Sequence, residues 1–374
     1  MAINQTNRAS IDGGEAGANR EPARADFVSL EALRMAGLRA RLTPGRLVLT
    51  LAVLLAVLLI AAAFAIAIGS EHISLSALVK ILISETTGRA FDVVPEQKTI
   101  IWDIRFPRVL MGIIVGAGLS VAGTAYQALL RNPLADPYIL GVSTGAAVGA
   151  LSATVFAESI PVSRPVAAFI GAVLTIAIVY ILGQSRQGGS SERLILAGVI
   201  TNAFLSSVVI FLVTAVADSR LRSVFSWLIG DLSGEPGLLA VVAGLILAGI
   251  VIIYLNARSL NLLMVGEQEA LALGVEVRRV KIVVYVAASL ITGAAVAVSG
   301  VIGFVGLIIP HAVRLVGGSD NRLVVPASAL VGGSFLLFAD TVARTVIAPR
   351  ELHIGVITAL IGAPIFVYLL RRTS

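Results

Sequence analysis

The 374-residue sequence has no cysteine, three lysines and a charged fraction of only 13%. Without cysteine there are no disulfides and no thiolate metal sites, and no redox compartment can be read. Lys80, Lys98 and Lys281 each follow a residue other than glycine. The Gly-Lys-Ser/Thr phosphate loop is therefore missing, and any work driven by ATP and Mg²⁺ must be done by another chain's ATPase site. His72, His311 and His353 are too dispersed for a metal site, and no HExxH occurs. Soluble domains carry about twice this charge. With 57% hydrophobic residues and a mean hydropathy of +0.96, the composition is that of a polytopic membrane protein.

The net charge of +6 and pI near 10.0 do not point to nucleic acid. The arginines sit in short gaps between apolar runs, where they act as topology signals. Residues 1–45 are polar, show no signal-peptide pattern and read as a disordered, solvated cytoplasmic tail. Val28–Leu42 has the alternative of a basic amphipathic helix on the membrane surface. Residues 46–374 hold ten apolar runs, near 47–68, 109–130, 138–157, 166–183, 194–216, 238–256, 280–300, 301–316, 323–342 and 354–371. A span needs about 20 residues. Ten transmembrane helices of an all-α protein are expected, and the positive-inside rule places both termini in the cytoplasm.

The chain is organised around RFPRVLMGIIVGAGLSVAGTAYQALLRNPLADPYILGVSTG (105–145), an apolar run that stops at Asn132-Pro133 and restarts after Asp136-Pro137. Broken helices beside hydrocarbon pack inside protein or line a cavity. At a shift of 177 positions Gly116, Gly123, Pro133 and Gly141 fall on Gly293, Gly300, Pro310 and Gly318. This reads as a duplicated broken-helix unit, with copies starting near 109 and 280. The copies begin an odd number of spans apart, so the repeat is inverted and the pathway lies between the halves.

The 105–145 block resembles the hallmark of the FecCD-type permeases of ABC importers. LILAG (194–198), WLIGDLSG (227–234), VGEQEALALGV (265–275), GVIGFVGLIIPHAVRLVGG (300–318) and FADTVARTVIAPRELHIGVITALIGAPIFVYLL (338–370) follow in the same order. His353 stands where that family usually has proline. The resemblance implies the type II ABC importer permease fold and a bacterial inner-membrane location. It also implies two permease subunits, either two copies or this chain with a paralogue. An ABC ATPase dimer and a periplasmic or lipid-anchored binding protein complete the assembly. Its cargo is a ferric siderophore, haem or cobalamin, with siderophore the default. Apart from surrounding lipid, no cofactor or metal is expected on this chain.

Two readings stand beside each other at each candidate site. Gly266, Glu267, Gln268, Glu269 and Ala270, ending at Leu273 and Gly274, compose a short acidic helix within 262–276. Alone it is a solvated connector; the resemblance makes it the coupling helix seated on the ATPase. Arg105, Arg108 and Arg344 fall at the outer face, against the charge rule. Asp103 and Asp340 offer them local partners, whereas the resemblance makes them docking arginines for the binding protein. Asn132 and Leu134, with Ser190 and Ser191, match a cytoplasmic gate, while Asn-Pro and Asp-Pro by themselves favour turns. Gly116, Gly123, Gly293 and Gly300 read as close helix packing, and Gln127 and Asn202 as interhelical hydrogen-bonding groups. Gly141–Gly145 matches G-x-S-x-G but opens a membrane helix rather than following a strand.

A secondary transporter is the reading from another class. It needs membrane-embedded carboxylates, and Asp340 is the main candidate. A membrane enzyme lacks any converging acid, base and nucleophile.

Overall fold

Long apolar runs bounded by proline, glycine and polar turns become helices, because a helix satisfies its backbone internally where water is absent. The computed structural model describes residues 43–373 except 70, 72, 89, 90, 92, 157–161, 184–190 and 235. Nearly all of the expected tail, including Val28–Leu42, lies outside the described residues, which contain no strand. The helices are α1 (Pro44–Ala67), α2 (Leu75–Thr87), α3 (Pro95–Leu130), α4 (Val142–Val155), α5 (Arg164–Gly183), α6 (Ser191–Ala215) and α7 (Asp218–Ile229). They continue as α8 (Leu239–Leu255), α9 (Ala257–Val265), α10 (Glu267–Ala272), α11 (Val277–Ser299), α12 (Val305–Gly317), α13 (Asn321–Thr345) and α14 (Ile354–Thr373).

Each of the ten expected runs coincides with a helix. Among the described residues six are long and apolar enough to cross a membrane: α1, α3, α5, α6, α11 and α13. The pair α8–α9, bent by 55°, makes a seventh if counted as one span. In contrast, α4, α12 and the apolar part of α14 are shorter. The second run begins earlier than its hydropathy suggests. α3 extends back to Pro95, and a π-helical turn over Thr99–Arg105 carries it past Pro107, with the Phe106 N–H reaching Ile101 O. Proline supplies no N–H and crowds the preceding turn, so a widened turn keeps the helix continuous. Arg105 and Arg108 therefore sit within a helix rather than in a loop.

α3 and α11 form the interior, each with 78% of its apolar window buried, whereas α1 has 6%. They run antiparallel: Arg131 at the end of α3 and Lys281 near the start of α11 share one partner, Glu267. Their contacts are exchanged. α3 packs on α12 and α13 from the second half, and α11 packs on α4 and α5 from the first. Each expected copy thus packs its leading helix against the other half of the chain. Gly123 lies inside α3 and Gly300 after α11; Pro133 is in a turn and Pro310 inside α12.

Helix contact in lipid depends on close packing by small residues. A Cβ on Gly116 would overlap the Gly332 carbonyl, and one on Gly123 the Gly306 carbonyl, so α3 meets α13 and α12 backbone to backbone. Gly145 and Gly171 join α4 to α5 in the same way. Gly123→Val should destabilise the bundle by about 2 kcal/mol, as overpacking does, seen as a lower melting temperature in detergent. An unchanged melting temperature would mean that α3 and α12 part without cost.

Candidate functional site

Two clusters and two helix breaks concentrate the polar groups of an otherwise apolar bundle. At one end, α9 stops at Gly266 and α10 adds a short acidic helix. A Schellman motif ends α10: the Gly274 N–H bonds Leu271 O at 3.0 Å and the Val275 N–H bonds Ala270 O at 3.0 Å. Gly274 takes the left-handed conformation this requires, with φ 81°. Ala270 is buried, while Gln268, Glu269, Leu271 and Leu273 are exposed. Glu267 is tied back to the bundle at 2.6 Å from Lys281 and 3.5 Å from Arg131. The segment is therefore a fixed helix rather than a loose connector. An open groove beside it is lined by Leu271, Val277, Ile282 and Val283 together with Glu276, Arg278 and Arg279.

The same end is anchored through α9. The Asn261 amide donates to Asp320 Oδ1 at 2.8 Å, and its Oδ1 accepts the Asn321 N–H at 2.8 Å. Asp320 caps α13 through the Arg322 N–H and holds the Arg322 guanidinium at 2.6 Å. Partial burial pushes the Asp320 carboxyl up, but the Arg322 guanidinium, its N–H and Asn261 outweigh it and hold it near 2 rather than 3.8.

Asn132 and Leu134 lie in the first break, and here the turn reading holds. Asn132 Oδ1 accepts the Leu134 N–H at 2.9 Å, and Asp136 Oδ1 accepts the Tyr138 N–H at 2.7 Å. The chain then folds back along α3, where Pro137 lies against Gly306 near Leu119. Tyr138 reaches the second break: its hydroxyl donates to Ile302 O at 2.9 Å and accepts from the Ile302 N–H at 3.2 Å. Ser190 lies outside the described residues, and Ser191 is placed only as the first residue of α6. Gln127 and Asn202 make interhelical bonds, Gln127 donating to Leu307 O at 3.0 Å and Asn202 accepting from Thr144 at 2.8 Å.

At the opposite end the three arginines differ from their expected exposure. Arg105 is buried, and its guanidinium donates to the carbonyls of Ile66, Ala67 and Glu71 at 3.0, 3.2 and 2.7 Å. Arg344, equally buried, donates to Ala65 O at 3.0 Å and to Asp340 Oδ2 at 2.9 Å. Both cap the C-terminus of α1, where unsatisfied carbonyls gather negative charge. Local spacing identified the Asp340–Arg344 pair but not the α1 carbonyls. Arg105 turns to them and not to Asp103. Arg108 stands between Asp340, at 2.9 Å, and the exposed Glu351, also at 2.9 Å. Asp340 is 1% exposed and shared by two guanidiniums.

Comparison with known proteins adds to this geometry. The FecCD transport family profile matches residues 55–372. An uncharacterised ABC transporter permease, YvrB of Bacillus subtilis, is 42% identical over 314 residues, covering 82% of this chain and 89% of that one. The hemin transport system permease HmuU of Yersinia pestis is 44% identical, covering 73% and 83%. The cobalamin import permease BtuC of Halobacterium salinarum is 44% identical, covering 74% and 75%. A solved structure described as an inward-facing metal-chelate type ABC transporter is 32% identical with a TM-score of 0.74, covering 86% of this chain and 98% of that one.

Two measurements test the clusters. Asp340→Asn leaves two buried guanidiniums without their shared charge and should cost about 3–5 kcal/mol. Glu351→Gln, on the exposed side of Arg108, should cost about 1 kcal/mol or less; equal losses in melting temperature would refute the difference. Asp320 has a folded-state pKa below its unfolded value. Its contribution is present above pH 3.8 and is lost as pH falls towards about 2. Asp320→Asn should therefore lower stability at neutral pH and flatten the acid limb between those values, as read by melting temperature against pH.

Proposed function

The chain belongs to the FecCD transport family, and we propose that it is the ten-span membrane subunit of a binding-protein-dependent importer of a ferric siderophore. It is a transport subunit and not an enzyme, and its multiple apolar helices make it a multi-pass membrane protein. In the proposal the α9–α10 end faces the cytoplasm, as do both termini, in the bacterial inner membrane. The arginine-rich end then faces a periplasmic or lipid-anchored binding protein. A second permease subunit, a copy or a paralogue, completes the pathway. An ATPase dimer that binds and hydrolyses MgATP sits below.

The observation that carries this reading is α10. A six-residue helix is far too short to be stable alone, yet here it is held by a terminal motif and by Glu267, with Leu271 and Leu273 exposed at its end. Apolar side chains on a fixed acidic helix, at the end where helices converge, suit a groove in a second protein. Closure of the ATPase would displace α10 as a unit, carry α9 with it, and open one side of the pathway as the other shuts. Asn132 and Leu134, with Ser190 and Ser191, are proposed as the inner constriction. Docking of the binding protein falls first to Arg108, whose partner Glu351 is exposed; Arg105 and Arg344 would have to exchange the α1 carbonyls for carboxylates. Such contacts govern orientation and association rate.

Haem or cobalamin is the alternative cargo, since similar permeases carry those names. The secondary-transporter reading loses support, because Asp340 is held by Arg108 and Arg344.

Cells lacking this chain should lose uptake of radiolabelled ferric siderophore while haemin and cyanocobalamin uptake persist. Loss of one of the others instead reassigns the cargo. With no redundant importer, survival of all three overturns the proposal. Glu267→Ala combined with Glu269→Ala should cut uptake about tenfold or more at unchanged membrane abundance, and pull-down of an ATPase with the chain should weaken in parallel.

A further inference from the structure

One half-buried cation plays no part in the site described so far. Arg314, near the end of α12, donates to Gln127 Oε1 at 2.8 Å, Thr124 O at 3.3 Å and Asn321 Oδ1 at 3.2 Å. All three acceptors are neutral, and no ion pair among the described residues involves Arg314. Its Nε is buried with no hydrogen-bond partner. A fold that needed only a strong clamp here would place a carboxylate opposite the guanidinium. Pairs of that kind, once desolvated, are costly to break, whereas bonds to amides and carbonyls can be exchanged for one another at similar energy.

The three partners belong to elements with different destinations. Thr124 and Gln127 lie in the last two turns of α3, which ends in the Asn132–Asp136 turns. Asn321 is fully buried at the first position of α13 and passes the connection on, its N–H and its side-chain amide both donating to Asn261 Oδ1 at 2.8 Å. Asn261 is on α9, which continues through Gly266 into α10. A continuous set of hydrogen bonds thus runs from α9 through the start of α13 and Arg314 to the end of α3. A second tie, Glu267 to Arg131, joins the same two segments at the surface.

We propose that Arg314 is the positioning residue that transmits displacement of α9–α10 to the end of α3 and so to the turns that follow it. This rests on the transport reading above. Movement of α9 draws Asn261 and the Asn321 backbone with it, and Arg314 fixes how far α3 must follow. The surface ion pair keeps the register, and the half-buried guanidinium carries the displacement. Without Arg314, ATP-driven movement of α10 continues but is no longer passed in full to α3.

The test uses the complete complex of this chain with its co-purifying ATPase and binding protein in lipid vesicles. It compares ATP hydrolysed with radiolabelled ferric siderophore, haemin or cyanocobalamin accumulated. Arg314→Gln should raise the ATP consumed per substrate by about fivefold or more while hydrolysis itself stays within about twofold of wild type. Arg314→Lys, which keeps the charge but cannot span three partners, should fall between. Asn261→Ala at the half-exposed end of the relay should repeat the effect, and it decides the matter if Arg314→Gln does not assemble. A purely structural role would lower hydrolysis and uptake together and leave their ratio unchanged, which overturns the proposal. If the wild-type complex accumulates none of the three probes with ATP, the transport reading fails and the relay falls with it.

Discussion

Backbone N–H and C=O groups cannot be left open against hydrocarbon, and among the described residues four interruptions of the helices are filled by polar side chains or backbone. The end of α1 takes two guanidiniums, Arg105 and Arg344, onto its last carbonyls. The break after α3 is closed by the side chains of Asn132 and Asp136. The break after α11 is closed by Tyr138 from the first break, with the Asp231 N–H on Ser299 O at 2.8 Å. The turn before α13 is closed by Asp320 and Asn261. These polar fillings are also the groups that converge at the two ends of the bundle. Functional placement here follows from where an apolar solvent forbids irregular backbone.

The helices themselves were legible, because hydropathy reports them directly and each expected run coincides with one. The acidic helix was legible as well, its limits marked by Gly266 and Gly274. Three features were not. The extension of α3 back to Pro95 lies outside the expected run near 109–130, because Asp103, Arg105 and Pro107 interrupt the apolar pattern and sequence alone gives no hint of a π-helical turn. The inward orientation of Arg105 and Arg344 depends on carbonyls at Ala65–Glu71, whose side chains carry no signal. The Arg314 relay joins residues 60 and 187 positions apart, beyond any local spacing rule. Gln127 and Asn202 were readable as interhelical groups because an amide in an apolar run must find a partner, but the identity of the partner was not readable.

The inverted repeat shows how partial such reading can be. The expectation of duplication rests on glycine and proline spacing, and the paired positions occupy different local settings, with Gly123 inside α3 and Gly300 after α11. Small residues recur because backbones must approach, as at Gly116 with Gly332 and Gly123 with Gly306. That requirement acts throughout the bundle, so it yields matches in several registers.

The Tyr138–Ile302 bridge also bears on biogenesis. The two residues are 164 positions apart, so at roughly 5–20 residues per second a ribosome needs on the order of ten seconds or more to supply the second after the first. Through that interval the Tyr138 hydroxyl is without the Ile302 backbone that it bonds in the finished fold. The break after α3 closes on its own side chains, Asn132 and Asp136, whereas the Tyr138–Ile302 tie between the two breaks can form only after Ile302 has been made.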